Sequence, residues 1–337
     1  MDVMKAVYGI AIDYWKSYKA LVHARELEQD TWESGYEDLP MFLHKIKAAN
    51  PGTITRLICD EQDRFRFLFI AFGACINGFR FIRNVVVVDG AHLKGKFEGV
   101  LLVAASQDGN GEIFPLAFGI VDSKNNASWE WFLTQLRMIC DDQQELVIIS
   151  DRHRSIRKAV WKVFPQAHRG ICTYHLHENL IMKFKESTTL KLVKKAARMY
   201  RVSEFVALFN EIRRQNPDIA TYLENAGVSL WSCANFQRDR YDITTSNIAE
   251  SINKVLKDAR EYPTAYFLKE LRKLFSKWFM KRREQAMSLQ TFFTLRVELK
   301  LEYQCSIGST LMVHHIDAHH SHVTGGAFAC IVDIQQV

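Results

Sequence analysis

The run Val85-Val86-Val87-Val88 constrains this chain more than any other stretch. Four consecutive valines make a strand with no polar face, which predicts a central position in a sheet covered on both sides. Asp89 and Gly90 follow at its carboxyl end. A carboxylate there is costly to bury unpaired, and in open α/β sheets that edge is where ligands and metals sit. A turn-forming Asp-Gly pair is the plainer reading, and this stretch does not choose between the two.

At 337 residues the chain has room for one large domain or two modest ones. A composition 48% hydrophobic and 24% charged is that of a globular chain. The net charge of +6 is compatible with a polyanionic partner without requiring one. Seven cysteines without regular spacing argue against a disulfide framework. The N-terminal stretch carries charges throughout, unlike a signal peptide, and no apolar run approaches the roughly 18 residues needed to cross a bilayer. The expectation is a soluble intracellular chain with no membrane partner.

Residues 1–28 have helical spacing, and a second helix is predicted over Leu39 to Ala49, closed by Asn50-Pro51-Gly52. Thr53 to Asp60 and Phe65 to Cys75 read as strands of an accessory layer. From Val85 the pattern becomes regular. Val100 to Ser106, the Asp108-Gly109-Asn110-Gly111 turn and Ile113 to Val121 predict a meander. Ser128, a candidate N-cap, opens a helix whose Trp129 and Trp131 are most simply packing residues.

Leu146 to Ser150 is a second apolar strand, and it too delivers an aspartate, Asp151. A helix over Ser155 to Phe164 and a short strand over Gly170 to Tyr174 follow. Two parallel buried strands that each end in Asp at one edge are the start of a two-metal site. Each Mg²⁺ takes oxygen ligands at about 2.1 Å, so carboxylates must converge from separate elements. The third should come from a later helix.

Residues 178–300 read as almost wholly helical. Within them Glu250 falls in a first helical turn, three residues after Asn247, so a capping box is one reading and a third acid the other. The helix from Thr264 to about Arg283 carries an apolar stripe and a basic face. That face is either solvated or a phosphate-backbone track. The candidate phosphate contacts are Lys94, Lys96, Arg152, Lys277, Lys281, Arg282 and Arg283. The tail from His314 to His322 reads as a polar loop and Phe328 to Val337 as a last strand.

Seven short motifs then stand in one order. They are Asp89-Gly90-x-x-Leu93-Lys94-Gly95-Lys96, Gln107-Asp108-Gly109-Asn110, Phe114-Pro115-Leu116-Ala117 and Ser128-Trp129-x-Trp131-Phe132. Ile149-Ser150-Asp151-Arg152, Cys172-x-x-His175 and Ser246-Asn247-x-x-Glu250-Ser251 complete the series. Each is weak alone, but together they resemble the plant Mutator-like (MULE) transposases, most densely over residues 85–185. The resemblance implies an α/β fold of RNase H type, a mixed five-stranded sheet flanked by helices. It also implies a large all-helical insertion between the second and third catalytic acids.

By position the triad is Asp89, Asp151 and Glu250. Asp151 follows Asp89 by 62 residues, and Glu250 follows Asp151 by 99. The implied cofactor is a pair of Mg²⁺ or Mn²⁺ ions on these three residues, with no nucleotide cofactor. Cys172 and His175 match the family's Cys-x-x-His signature; being half a zinc site, they read as local structure or a DNA-handling element, and zinc is not expected within the chain. The implied partner is double-stranded DNA carrying transposon terminal repeats, in the nucleus, with a homo-oligomer left open.

The domain plan has an accessory region over 1–80, the first part of the core over 81–185 and a helical insertion over 186–240. A core-completing helix and C-terminal helices follow over 241–300, then a tail over 301–337. The family also carries an N-terminal DNA-binding region and a C-terminal SWIM-type zinc finger, and neither pattern occurs in this sequence, so the resemblance is to a fragment. Domesticated regulators of the far-red-response type resemble the same stretch, so DNA binding without catalysis is the alternative function.

Overall fold

The computed structural model describes residues 39–94, 99–185, 188–326 and 328–336. The helix expected over residues 1–28 and the candidate Lys96 lie outside them. The chain divides into two units, residues 1–107 with 113–276 and residues 108–112 with 277–337.

In the first unit, helix α1 (Leu39–Ala49) leads into strands β1 (Ile54–Cys59) and β2 (Phe65–Ala71), then helix α2 (Gly73–Phe79). Gly73 is required here, because a Cβ would lie 2.1 Å from the Pro51 carbonyl oxygen. Strands β3 (Val85–His92), β4 (Val100–Gln107) and β5 (Ile113–Val121) form the expected meander. Helix α3 (Asn126–Leu136), strand β6 (Val147–Ser150), helix α4 (Arg154–Val163) and strand β7 (His168–Ile171) complete the α/β part.

The sheet is mixed, with the order β1-β2-β5-β4-β3-β6-β7. Its seven strands replace the five expected. β1 and β2 are not an accessory layer, because β2 pairs antiparallel with β5 through Leu68, Phe69 and Ile70 and extends the sheet. β3 lies inside, antiparallel to β4 and parallel to β6. All four of its valines are at most 1% exposed, as an unbroken apolar strand requires. Helix α3 covers one face, where Trp131 meets Phe67 and Phe69, and Trp129 meets Phe132 edge-on. Both tryptophans are packing residues.

Three boundaries differ from expectation. The N-cap of α3 is Asn125, whose side chain accepts from the Ser128 backbone N–H at 2.8 Å; Ser128 is instead the N3 donor. The strand expected over Gly170 to Tyr174 ends at Ile171, because Cys172 caps the next helix. The strand expected through Cys75 stops at Ala71, where α2 begins two residues on.

Between Asp151 and Glu250 lie helices α5 (Thr173–Phe184), α6 (Thr188–Arg198), α7 (Val202–Gln215), α8 (Pro217–Asn225) and α9 (Val228–Trp231). They share a core of their own, in which Leu180, Phe205, Phe209, Ile212, Leu223 and Trp231 are buried. Residues 232–246 then run without regular helix, a break within a stretch expected to be almost wholly helical. Arg240, 2% exposed, closes the end of α9 by donating to the Leu230 and Trp231 carbonyls at 3.2 and 2.7 Å. Helix α10 (Asn247–Val255) lies against β3 and β4. Helix α11 (Thr264–Ser288) follows; its Phe275 meets Phe72 and Phe118.

The second unit holds the Asp108 turn, the end of α11, helix α12 (Leu295–Gly308) and strands β8 (Met312–His315), β9 (His320–Gly325) and β10 (Phe328–Asp333). These strands form an antiparallel sheet of order β10-β9-β8. The histidines expected in a polar loop therefore stand largely on strands, with His314 paired to His322. Arg282 reaches Asp108 Oδ2 at 3.5 Å and Glu112 Oε2 at 3.2 Å. Among the described residues no helix is long and apolar enough to cross a membrane.

Candidate active site

The parallel register of β3 and β6 fixes where two of the three predicted acids stand. The last pair is Val87 with Ile149, and Asp89 and Asp151 each follow by two residues. Asp89 is not at the end of its strand, since β3 continues to His92 along β4. It lies where β6 has stopped, so the sheet opens beside it on that side. Asp151 follows the last residue of β6 and accepts from the His153 backbone N–H at 2.8 Å, which turns the chain into α4.

The third acid arrives on α10. Its start is tied to the start of α5, because Thr173 donates to the Thr244 carbonyl through its backbone N–H at 2.9 Å and its hydroxyl at 3.0 Å. The cap of α10 is Ser246 rather than Asn247, so Glu250 is not the N3 residue of a capping box. Ile248, Ala249 and Ile252 bury the face of α10 turned to the sheet. Glu250 and Asn253, three apart and hence neighbours on a helix, sit at the edge of that face. Asn253 donates through Nδ2 to Asp89 Oδ2 at 3.2 Å, and its Oδ1 is buried without a hydrogen-bond partner.

Asp89 carries a shifted carboxyl. Burial pushes its carboxyl up to about 6, and the negative charges of Glu250 and Asp151 add to the effect. A hydrogen bond from the Gly90 backbone N–H and the charge of Lys124 pull the other way. Lys124, in the loop after β5, would lie 3.3 Å from a Cβ placed on Gly90. Three carboxylates whose mutual repulsion shows in this way supply hard oxygen donors of the type Mg²⁺ and Mn²⁺ take. Among the described residues, however, no three His, Cys, Asp or Glu side chains stand in a geometry that encloses an ion.

Glu250 has partners of its own. Its Oε1 lies 3.0 Å from the Ser246 hydroxyl and 3.5 Å from His175 Nε2. The Ser246 hydroxyl also lies 3.2 Å from His175 Nδ1 and 3.2 Å from Cys172 Sγ, while the Ser246 backbone N–H donates to that sulfur at 3.1 Å. The expected Cys-x-x-His pair thus belongs to the same cluster as the third acid. Hydrogen bonding to Cys172, helped by the charges of Cys172, Glu250 and Asp89, lifts the His175 imidazole to about 9 against the effect of its burial. Burial works to raise the Cys172 thiol, and hydrogen bonds from His175 and Ser246 overcome it and bring the thiol below its usual range.

The candidate phosphate contacts fall into separate places. Arg152 in the first unit lies over the Tyr222 ring and donates to the Tyr222 hydroxyl, and its Nε is buried without a partner. Lys94 is exposed, held in the chain by its backbone N–H donating to the Arg260 carbonyl. In the second unit Lys277 and Arg283 are exposed, Lys281 stands 3.9 Å from Glu112, and Arg282 is engaged by Asp108 and Glu112.

Sequence reasoning missed Asn253, Lys124 and Arg169. Asn253 had a signal, its spacing of three from Glu250 on one helix. Lys124 and Arg169 had none, since a loop lysine and a strand arginine acquire meaning only from what the fold sets beside them.

Comparison with known proteins bears on the same stretch. Residues 85–179 match the family model of the MULE transposase domain, a segment that contains Asp89, Asp151, Cys172 and His175. Over 152 residues the chain is 20% identical to Protein FAR1-RELATED SEQUENCE 6 of Arabidopsis thaliana. That alignment takes in 45% of this chain and 22% of the relative's length.

Proposed function

We propose that this MULE-type, transposase-like chain cleaves and joins DNA strands through Asp89, Asp151 and Glu250, on a scaffold of the RNase H type. The observation that carries the reading is geometric: the parallel register of β3 and β6 sets Asp89 and Asp151 at equivalent positions on neighbouring strands, and Asn253, three residues from Glu250 on α10, bonds Asp89. Carboxylates carried by separate elements, here β3, the end of β6 and α10, are what a two-metal site requires.

The three residues would hold two Mg²⁺ or Mn²⁺ ions, which when bound activate a water or 3′-hydroxyl and stabilise the leaving oxygen of a phosphodiester. The chain's own residues prepare the site. Asn253 fixes one oxygen of Asp89. The turn at His153 fixes one oxygen of Asp151. Ser246 and His175 hold the Glu250 carboxylate, which would be one of the groups to hold an ion. The substrate is double-stranded DNA at transposon ends, and the setting is the nucleus.

One observation favours a second reading. Glu250 already has a cationic partner in His175, so the cluster is self-sufficient as a structural element. The likeness to Protein FAR1-RELATED SEQUENCE 6 agrees with a transposase-derived DNA-binding regulator that has no catalysis. Nicking of a labelled duplex in Mg²⁺ or Mn²⁺, wild type beside Asp151→Ala, separates the two. Nicking lost in the variant supports catalysis. No nicking by either protein, with salt-sensitive DNA binding retained by both, supports the binder.

A further inference from the structure

Beside the triad lies a cavity of about 480 Å³ whose lining includes Asp151, Arg152, Arg157, Arg169, His175, Asn179 and Asn225. Its charge is unbalanced, with three guanidinium groups facing one carboxylate. Arg169 on β7 is the unusual member. It is 8% exposed, and its Nε has no hydrogen-bond partner. A guanidinium that deep normally has a carboxylate or a set of carbonyls, because burying the charge alone is expensive. Arg240, in the same unit, also has an unpartnered buried Nε, but its two terminal nitrogens donate to carbonyls at a helix end, whereas Arg169 faces the cavity.

Arg169 has instead the ring of Trp161, with its guanidinium carbon 6.0 Å from the ring centroid and that of Arg157 at 5.4 Å from the same ring. Two cations drawn to one ring repel each other. Burial, together with Arg157, pushes the Arg169 guanidinium down to about 10, with the charge of Asp151 opposing. The Nε of Arg152 is also buried without a partner. Each feature calls for an anion with several acceptor oxygens.

We propose that this pocket binds a backbone phosphate of DNA, held by Arg157 and Arg169 with Arg152 at its mouth. The inference rests on the reading that the chain acts on DNA. The volume exceeds what a lone phosphate fills and lies in the range of about 300–1,000 Å³ typical of ligand pockets. Ile171, Ala226 and Leu230 supply apolar wall for the attached sugar, and Asn179 and Asn225 supply neutral polar groups. Because Asp151 lines the pocket as well, the bound phosphate would set the register of the strand against the triad.

The test is a set of duplexes, each carrying one neutral methylphosphonate at a different position, bound in EDTA so that cleavage plays no part. Wild type should show one position where the substitution weakens binding roughly ten- to hundredfold, the size expected for a charge-assisted hydrogen bond. Arg169→Gln should lose most of that sensitivity at that position alone. Arg157→Gln, at an exposed side chain that leaves folding undisturbed, should lose it too and lower the salt dependence by about one phosphate.

Equal sensitivity in wild type and Arg157→Gln overturns the proposal. So does stabilisation of wild type, but not Arg157→Gln, by inorganic phosphate or a mononucleotide with no coupled duplex position, which would mark a free-anion site. Loss of nicking with the coupling intact removes the catalytic reading and leaves the pocket standing. Nicking without coupling does the reverse.

Discussion

Asn253 reaches Asp89 across 164 residues of sequence, and its amide Nδ2 is 3.2 Å from Asp89 Oδ2. This bond ties α10 to β3 beside the Asp89 carboxyl. Asn253 is 6% exposed, so removing it leaves the half-buried Asp89 carboxyl without that donor. Asn253→Ala should cost about 1–3 kcal/mol, read from the shift in urea midpoint. Nicking should also fall, because Asp89 would no longer be held.

Asp89 itself should limit the stability of the metal-free protein. Its carboxyl is raised from 3.8 to about 6 on folding, so between those values the folded state holds the extra proton. Stability from this group therefore falls as pH rises from about 4 to 6, and above 6 the full cost, of order 3 kcal/mol, is present. Asp89→Asn should raise the melting temperature at pH 7 and leave it nearly unchanged at pH 4. It should also abolish nicking and any stabilisation by Mn²⁺. A variant that melts lower than wild type at pH 7 would contradict the account.

His175 has the opposite pH behaviour. Its imidazole is lifted from 6.5 to about 9, so its contribution is fully present below about pH 6.5 and is lost as pH rises through 9. His175→Gln should melt below wild type at pH 6, and the two should converge by pH 10. Melting curves across that range decide the matter, and a constant gap would mean that the histidine acts by shape alone.

Arg240 makes a purely structural prediction. Arg240→Met removes the donors to the Leu230 and Trp231 carbonyls and should destabilise by about 2–3 kcal/mol in urea unfolding. Nicking by the folded fraction should be unaffected.

The legible parts of the fold were those fixed by composition over a few residues. Val85 to Val88 could only be an internal strand, and Leu146 to Ser150 its parallel neighbour. Asp108-Gly109-Asn110-Gly111 could only be a turn, with Gly111 at φ +76°. Pairing between distant strands was not legible, because nothing in Phe65 to Ala71 says that it extends the sheet at β5. The cap of α10 was misplaced by one residue since Ser246 and Asn247 are both good caps. The tail misled for a related reason. His314 to His322 has polar composition, yet Ser321, 4% exposed, and cross-strand pairing at the backbone decide its structure. Arg169 could not be singled out at all, since an arginine on a short strand is ordinary until the fold withholds its partner.

The docking of Thr244 on Thr173 has a temporal consequence. β3 and β6 can form from residues made early in synthesis, but Glu250 is delivered only after α5 to α9 are made and the segment returns to α5. Closing so long a loop is a late event. A ribosome-bound or proteolytically shortened chain that stops before α10 therefore carries the sheet without its third acid. A chain stopped before α10 would therefore test the sheet and Glu250 separately.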